Sequence, residues 1–114
     1  MSGIALFVKQ GCVSCQRTLD LLRLTGLPIR TRDLFAERLS GEEIKWLAGF
    51  AGGLRHIIST QSRGYRLNHL ARPDIAEPEL IRQMAADPEL IRRPIVMVDD
   101  LVLVGFEDPA GGIS

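Results

Sequence analysis

The sequence predicts an α/β fold: a four-stranded mixed sheet flanked by helices, with a helical insertion between a βαβ half and a ββ half. Three observations carry that reading. A strand-like run, a helix-periodic stretch and a second strand-like run follow one another within about thirty residues, the make-up of a right-handed βαβ unit with parallel strands. A helix-forming stretch then occupies the chain from about residue 40 to 86. Two short apolar runs separated by Asp99-Asp100 close the pattern.

Taken in order, Ile4 to Val8 is nearly continuous in apolar residues, as expected of a strand buried on both faces. After Gln10-Gly11 a helix is predicted from Val13 to Thr25. Its inner face is read from Cys15, Leu19 and Leu22 at i, i+4 and i+7, joined by Thr18 and Leu21. Gly26 tolerates the left-handed conformation at a helix end, and Pro28 prevents continuation. Pro28 to Arg32 forms the second strand. Ser40 opens the next helix, with Glu43 at the capping-box spacing and Ile44, Leu47, Ala48 and Ala51 as its apolar stripe. Gly52-Gly53 ends it, and Leu54 to Ile58 reads as a short helical turn. Ser59 to Pro73, polar and basic, reads as loop or irregular helix. A helix with Pro78 in its first turn runs to Ala86, where Asp87-Pro88 interrupts it. Ile95 to Val98 and Leu101 to Gly105 are the last two strands, and Glu107 to Ser114 is a stub with poor helical character.

Length and composition restrict the function classes. At 114 residues the chain fits a single domain, 1–114, and 46% hydrophobic with 25% charged residues is globular usage. Fourteen basic and fourteen acidic residues cancel, so no net charge draws it to nucleic acid or a membrane. No apolar run approaches the roughly 20 residues that span a bilayer. The Met1-Ser2-Gly3-Ile4 start has no charged region with a cleavage site, and a cytoplasmic location is expected. A secreted disulfide scaffold would carry more than two cysteines and space them widely.

Those two cysteines, Cys12 and Cys15, lie between the first strand and the first helix. That placement predicts a thioredoxin/glutaredoxin-like redox protein. A helix N-terminus presents unpaired amide donors and the positive end of a dipole, so it favours a thiolate at Cys12. Lys9 adds positive charge nearby. Cys15, one turn along, is placed to attack a mixed disulfide formed on Cys12. Two other readings of the pair stand beside this one. Zinc would need further ligands, and His56 and His69 are thirteen residues apart where zinc modules use about four to six. Cys15 also suits a small apolar core position, which Cys12 does not.

Four blocks in order resemble the ArsC/Spx family of thioredoxin-fold proteins. They are Cys12-Val13-Ser14-Cys15-Gln16-Arg17, Leu39-Ser40-Gly41-Glu42-Glu43-Ile44-Lys45, Ile57-Ile58-Ser59-Thr60-Gln61-Ser62-Arg63, and Arg92-Arg93-Pro94-Ile95 leading to Val104-Gly105-Phe106. The family includes arsenate reductases and the redox-sensing transcriptional regulator Spx, and the two-cysteine pair resembles the Spx-like branch. The resemblance implies that Cys12 is the reactive cysteine and that Arg93 binds oxyanions and stabilises the thiolate. It implies further that Pro94 is a cis proline facing the cysteines and that Gly53 contacts the RNA polymerase alpha subunit. The implied reductants are glutathione, glutaredoxin or thioredoxin, with glutathione as co-substrate and no bound cofactor or metal. The chain departs from the arsenate reductases, which use three arginines. Gln61 stands where the first is expected and Phe106 near the third, and a neutral amide lacks the bidentate fork that suits an oxyanion. Arg63 stands two positions on.

The leading expectation is therefore a thiol–disulfide oxidoreductase. A Spx-like regulator and a glutathione- or glutaredoxin-coupled arsenate reductase are the alternatives. Among other residues, Arg92, His56 and His69 are expected at the surface or in structural roles. Trp46 and Phe50 pair at i, i+4 and are expected to pack in the helix or core; exposed beside Gly53, they would instead suggest a partner surface. Tyr65 either lines the site or anchors its loop. The basic run from Arg63 to Arg72 is too short to imply direct nucleic-acid binding.

Overall fold

The computed structural model describes residues 3–105, so the predicted stub 107–114 and Phe106 lie outside the described residues. These residues form two compact units, one of 3–37 with 93–105 and one of 38–92.

The first unit holds the sheet. Strand β1 (Ile4–Val8) continues through the loop at Lys9–Cys12 into helix α1 (Val13–Arg23), and β2 (Ile29–Asp33), β3 (Ile95–Val98) and β4 (Leu101–Val104) complete it. The strand order is β2-β1-β3-β4. β1 pairs in parallel with β2 and antiparallel with β3, with Phe7 opposite Arg32 on one side and Ile95 on the other. β1 is an inner strand paired on both edges, and Ile4, Leu6 and Phe7 are buried, which is why its sequence is an apolar run. Ile4, Leu6 and Val96 form the buried cluster of this unit, with Leu19, Leu22, Leu27 and Ile29 packed on it. The β3–β4 turn places Asp99 at φ 54°, a left-handed geometry that aspartate tolerates better than most residues.

Helix α1 differs from expectation in two respects. It ends at Arg23, two residues early, because Thr25 and Gly26 form a tightened turn onto the Leu22 and Arg23 carbonyls and Gly26 takes φ 76°. Leu21 is exposed (54%), while Cys15 and Thr18 are buried and Leu19 and Leu22 pack on the core as expected. Thr18 satisfies its hydroxyl by donating to the Ser14 carbonyl at 2.8 Å.

The second unit contains α2 (Gly41–Ala51), α3 (Leu54–Ile57), α4 (Arg63–Leu67), α5 (Glu77–Ala86) and a 3-10 turn at Pro88–Leu90. The Ser40–Glu43 capping box is formed, with the Glu43 amide donating to Ser40 Oγ at 3.1 Å and the Ser40 amide to Glu43 Oε1 at 2.9 Å. Gly52 ends α2 at φ 99°, and a Cβ there would meet the His56 ring at 3.3 Å. α2 packs against α3 and α5, and Ile44, Leu47, Ile57 and Met84 are fully buried. Trp46 and Phe50 are not core residues: they are 52% and 40% exposed and meet edge to face at 5.4 Å between ring centroids. They lie off the buried Ile44–Leu47–Ala48 stripe, and their i, i+4 spacing brings the two rings onto each other instead. The polar stretch expected as loop or irregular helix contains α4. Arg55 pins the chain after it, donating to the Leu70 carbonyl at 2.7 Å and to Tyr65 Oη at 3.5 Å.

Candidate functional site: the cysteine pair at the start of α1

Gly11 takes φ 83° in the loop after β1, a conformation that favours glycine, and the chain then enters α1 with Cys12 as its N-cap. The cap is a sulfur where serine, threonine or aspartate is usual. Cys12 is extended (φ −83°, ψ 121°), its amide donates to the Lys9 carbonyl at 3.2 Å, and its carbonyl accepts from Gln16 at 3.1 Å. Its Sγ accepts the Cys15 amide at 3.4 Å and lies 3.6 Å from Ser14 Oγ. Both cysteines are thiols; Cys12 is half-buried and Cys15 buried.

The two thiols are driven apart in acidity. Partial burial opposes ionisation of Cys12, but hydrogen bonds from the Cys15 thiol, the Ser14 hydroxyl and the Cys15 amide outweigh it, helped by the Arg93 charge, and lower its pKa. Cys15 moves the other way. Burial disfavours its thiolate most, followed by its hydrogen bond to Cys12 and the charge on Cys12; a backbone hydrogen bond with Lys9 and the Arg93 charge offset only part, so its pKa is raised.

Arg93 sits immediately before β3, half-buried, and the Arg93–Pro94 peptide bond is cis. Pro94 is fully buried, and its carbonyl accepts the Gly105 amide at 2.7 Å. The Arg93 guanidinium stacks on Phe35 at 5.5 Å from the ring centroid, and the Lys9 ammonium approaches the same ring at 5.0 Å. Phe35 follows β2 in a turn fixed by its amide donating to Asp33 Oδ1 at 2.8 Å and by Leu34 donating to the Val8 carbonyl at 2.9 Å. A cavity of about 160 Å³ opens beside the pair, lined by Lys9, Cys12, Cys15, Gln16 and Thr31 among others. A larger one, about 620 Å³, lies at the opposite end of β1 around Ile4, Pro28 and Met97 and is lined by neither cysteine.

Cys12, Cys15, Arg93 and Pro94 all belong to the first unit, where the Arg93 charge acts on both cysteines. Gly53 belongs to the second unit, where it precedes α3 at φ 132°. Tyr65 accepts from Arg55 there, and the Arg92 amide donates to the Ile57 carbonyl at 2.9 Å. His56 and His69 are exposed, and among the described residues no group of three His, Cys, Asp or Glu side chains could hold a metal ion. Two further residues at the site, Ser14 and Phe35, are not singled out by the sequence. Ser14 was within reach, since a hydroxyl between two cysteines at a helix start is placed to donate to the first. Phe35 carried no local signal, because its role depends on strands distant in sequence.

The fold and the pair together define a thioredoxin-like α/β protein with a Cys-X-X-Cys site. The ArsC family profile matches residues 7–110, and the chain belongs to that family. The chain is 29% identical over 106 residues to the global transcriptional regulator Spx of Lactiplantibacillus plantarum, covering 92% of this chain and 80% of that protein. A Spx of Staphylococcus epidermidis is also 29% identical, over 92% and 81%. In structure the chain is similar to an arsenate reductase from Vibrio cholerae, with a TM-score of 0.83 at 24% identity over 89% of this chain and 87% of that one. No helix among the described residues is long and apolar enough to cross a membrane.

Proposed function

We propose that this chain is a cytoplasmic thiol–disulfide redox protein in which Cys12 attacks and Cys15 resolves. The observation that supports it most is the Cys12 sulfur at the α1 N-cap, accepting the Cys15 amide at 3.4 Å with its acidity raised. In the forward step the Cys12 thiolate attacks one sulfur of a substrate disulfide. A mixed disulfide forms, and the other substrate sulfur leaves as a thiolate that takes a proton. Cys15 then loses its proton and attacks the Cys12 sulfur; the Cys12–Cys15 disulfide closes and the second substrate thiol departs. Two electrons have passed from the pair to the substrate, and two thiols of glutathione, or the dithiol of a glutaredoxin or thioredoxin, return them. Capping Cys12 removes the negative charge that helps keep Cys15 protonated, so resolution becomes easier once the mixed disulfide exists. Arg93 stabilises the thiolate, and Pro94 faces the pair.

A trapping experiment tests this. With Cys15→Ser, Cys12 is expected to hold a small disulfide substrate such as oxidised glutathione as a stable adduct of one glutathione by mass spectrometry. Cys12→Ser should hold none. Equal labelling of both variants would contradict the assignment of roles.

A second reading, a redox switch acting on the RNA polymerase alpha subunit, is favoured by the regulators among the relatives and by the exposed Trp46 and Phe50 in the unit that carries Gly53. Purified alpha subunit should then be retained by the oxidised or the reduced chain; retention by neither removes this reading. Arsenate reduction rests on the Arg93 charge acting on Cys12, and it requires arsenate-dependent consumption of glutathione in the presence of glutaredoxin.

A further inference from the structure

The ends of three strands converge on one aromatic ring that neither the cysteine motif nor the proposed chemistry uses. Phe35 is half-buried, held by the Asp33 turn after β2. Lys9 approaches it from the end of β1, and Arg93 from the start of β3. Long cationic side chains of this kind sample many rotamers in water. An aromatic face within about 6 Å attracts both through its quadrupole and restricts where the charges sit. The placement matters because each cation is tied to the cysteine pair by a separate element. The Lys9 carbonyl accepts the Cys12 amide, and Arg93 lies two residues before β3, the strand paired to β1 with Ile95 opposite Phe7.

We propose that Phe35 is a positioning residue, holding the Arg93 guanidinium and the Lys9 ammonium beside the cysteine pair and thereby setting the reactivity of Cys12. This rests on the reading of Cys12 as the nucleophile. Phe35 acts through the charges it orders. The Arg93 charge is one of the influences that lower the Cys12 pKa, in keeping with this role. With leucine in place of Phe35, apolar volume is largely kept but the quadrupole is lost, and the cations move off toward water.

The test is the pH titration of thiolate absorbance near 240 nm in the reduced full chain, for wild type, Phe35→Leu and Phe35→Tyr, with a circular dichroism melt of each. The wild type is expected to titrate below an ordinary thiol, near 8.5. Phe35→Leu should move that midpoint up by about half a unit, a roughly threefold smaller ionisation constant. Phe35→Tyr, which restores the aromatic face, should return it. In an Arg93→Gln background, Phe35→Leu should add less than half of that shift, which a merely structural role would not produce. A Phe35→Leu midpoint equal to that of a low-titrating wild type overturns the proposal and leaves the nucleophile reading intact. So does failure of tyrosine to restore the midpoint, or a full shift in the Arg93→Gln background. A wild-type midpoint near 8.5 overturns both.

Discussion

Cys12 and Cys15 sit three residues apart in one helical turn, yet their environments push their pKa values in opposite directions. This has a consequence for stability. Cys15, raised in the folded state, keeps its proton to higher pH than it does in the unfolded chain. Above the ordinary thiol value of about 8.5 the unfolded state therefore binds fewer protons, and stability falls as pH rises toward the folded value. Cys12 has the opposite sign. Its contribution is complete above the unfolded value and is lost as pH falls through the lowered one. We expect Cys15→Ala to flatten the alkaline loss of stability, by at most about 1.4 kcal/mol per pH unit, in urea titrations of the reduced protein from pH 8 to 10. A slope unchanged by that substitution would mean that Cys15 is not held protonated.

At the scale of elements, legibility followed how local the determining physics is. The Ser40–Glu43 box and the Gly52 terminus of α2 were readable because both ends are fixed by residues within a few positions of each other. Ser40→Ala should cost about 1 kcal/mol in denaturant unfolding, the usual loss for an N-cap hydroxyl. Trp46 illustrates the converse. Its spacing to Phe50 is helical, but which face of α2 meets the core is decided by α3 and α5, and those chose Ile44, Leu47 and Ala48. Trp46→Ala is therefore expected to change stability by less than about 1 kcal/mol, whereas Ile44→Ala, at a fully buried position, should cost about 2–5 kcal/mol. The α1 face shows the same limit. Periodicity places Thr18 and Leu21 both inward; the fold buries Thr18, whose hydroxyl is satisfied within the helix, and leaves Leu21 outside.

At the scale of the molecule, the sheet order follows from the βαβ start and the closing hairpin, both visible in the sequence, because parallel pairing through a helix and antiparallel pairing through a tight turn leave few arrangements. The cysteine pair was legible for the same reason. The Phe35 cluster was not: it needs the ends of β1, β2 and β3 in register, information that no window of sequence holds. A thiolate stabilised in the dithiol form also favours the reduced protein, so Arg93→Gln, which removes a charge that lowers the Cys12 pKa, should make the Cys12–Cys15 couple less oxidising than in the wild type. Equilibration of both proteins against glutathione buffers reads this directly; an unchanged or more oxidising couple in the variant would oppose it.

The claim on which the rest depends is that Cys12 is the acidic, attacking thiol and Cys15 the protected one. The most direct measurement is the pH dependence of iodoacetamide alkylation of the reduced wild-type chain, with each cysteine read separately by peptide mass spectrometry. Cys12 is expected to be modified with a midpoint below about 8.5 while Cys15 stays unmodified over the same range. A Cys12 midpoint at or above that value, or Cys15 reacting first, would contradict it.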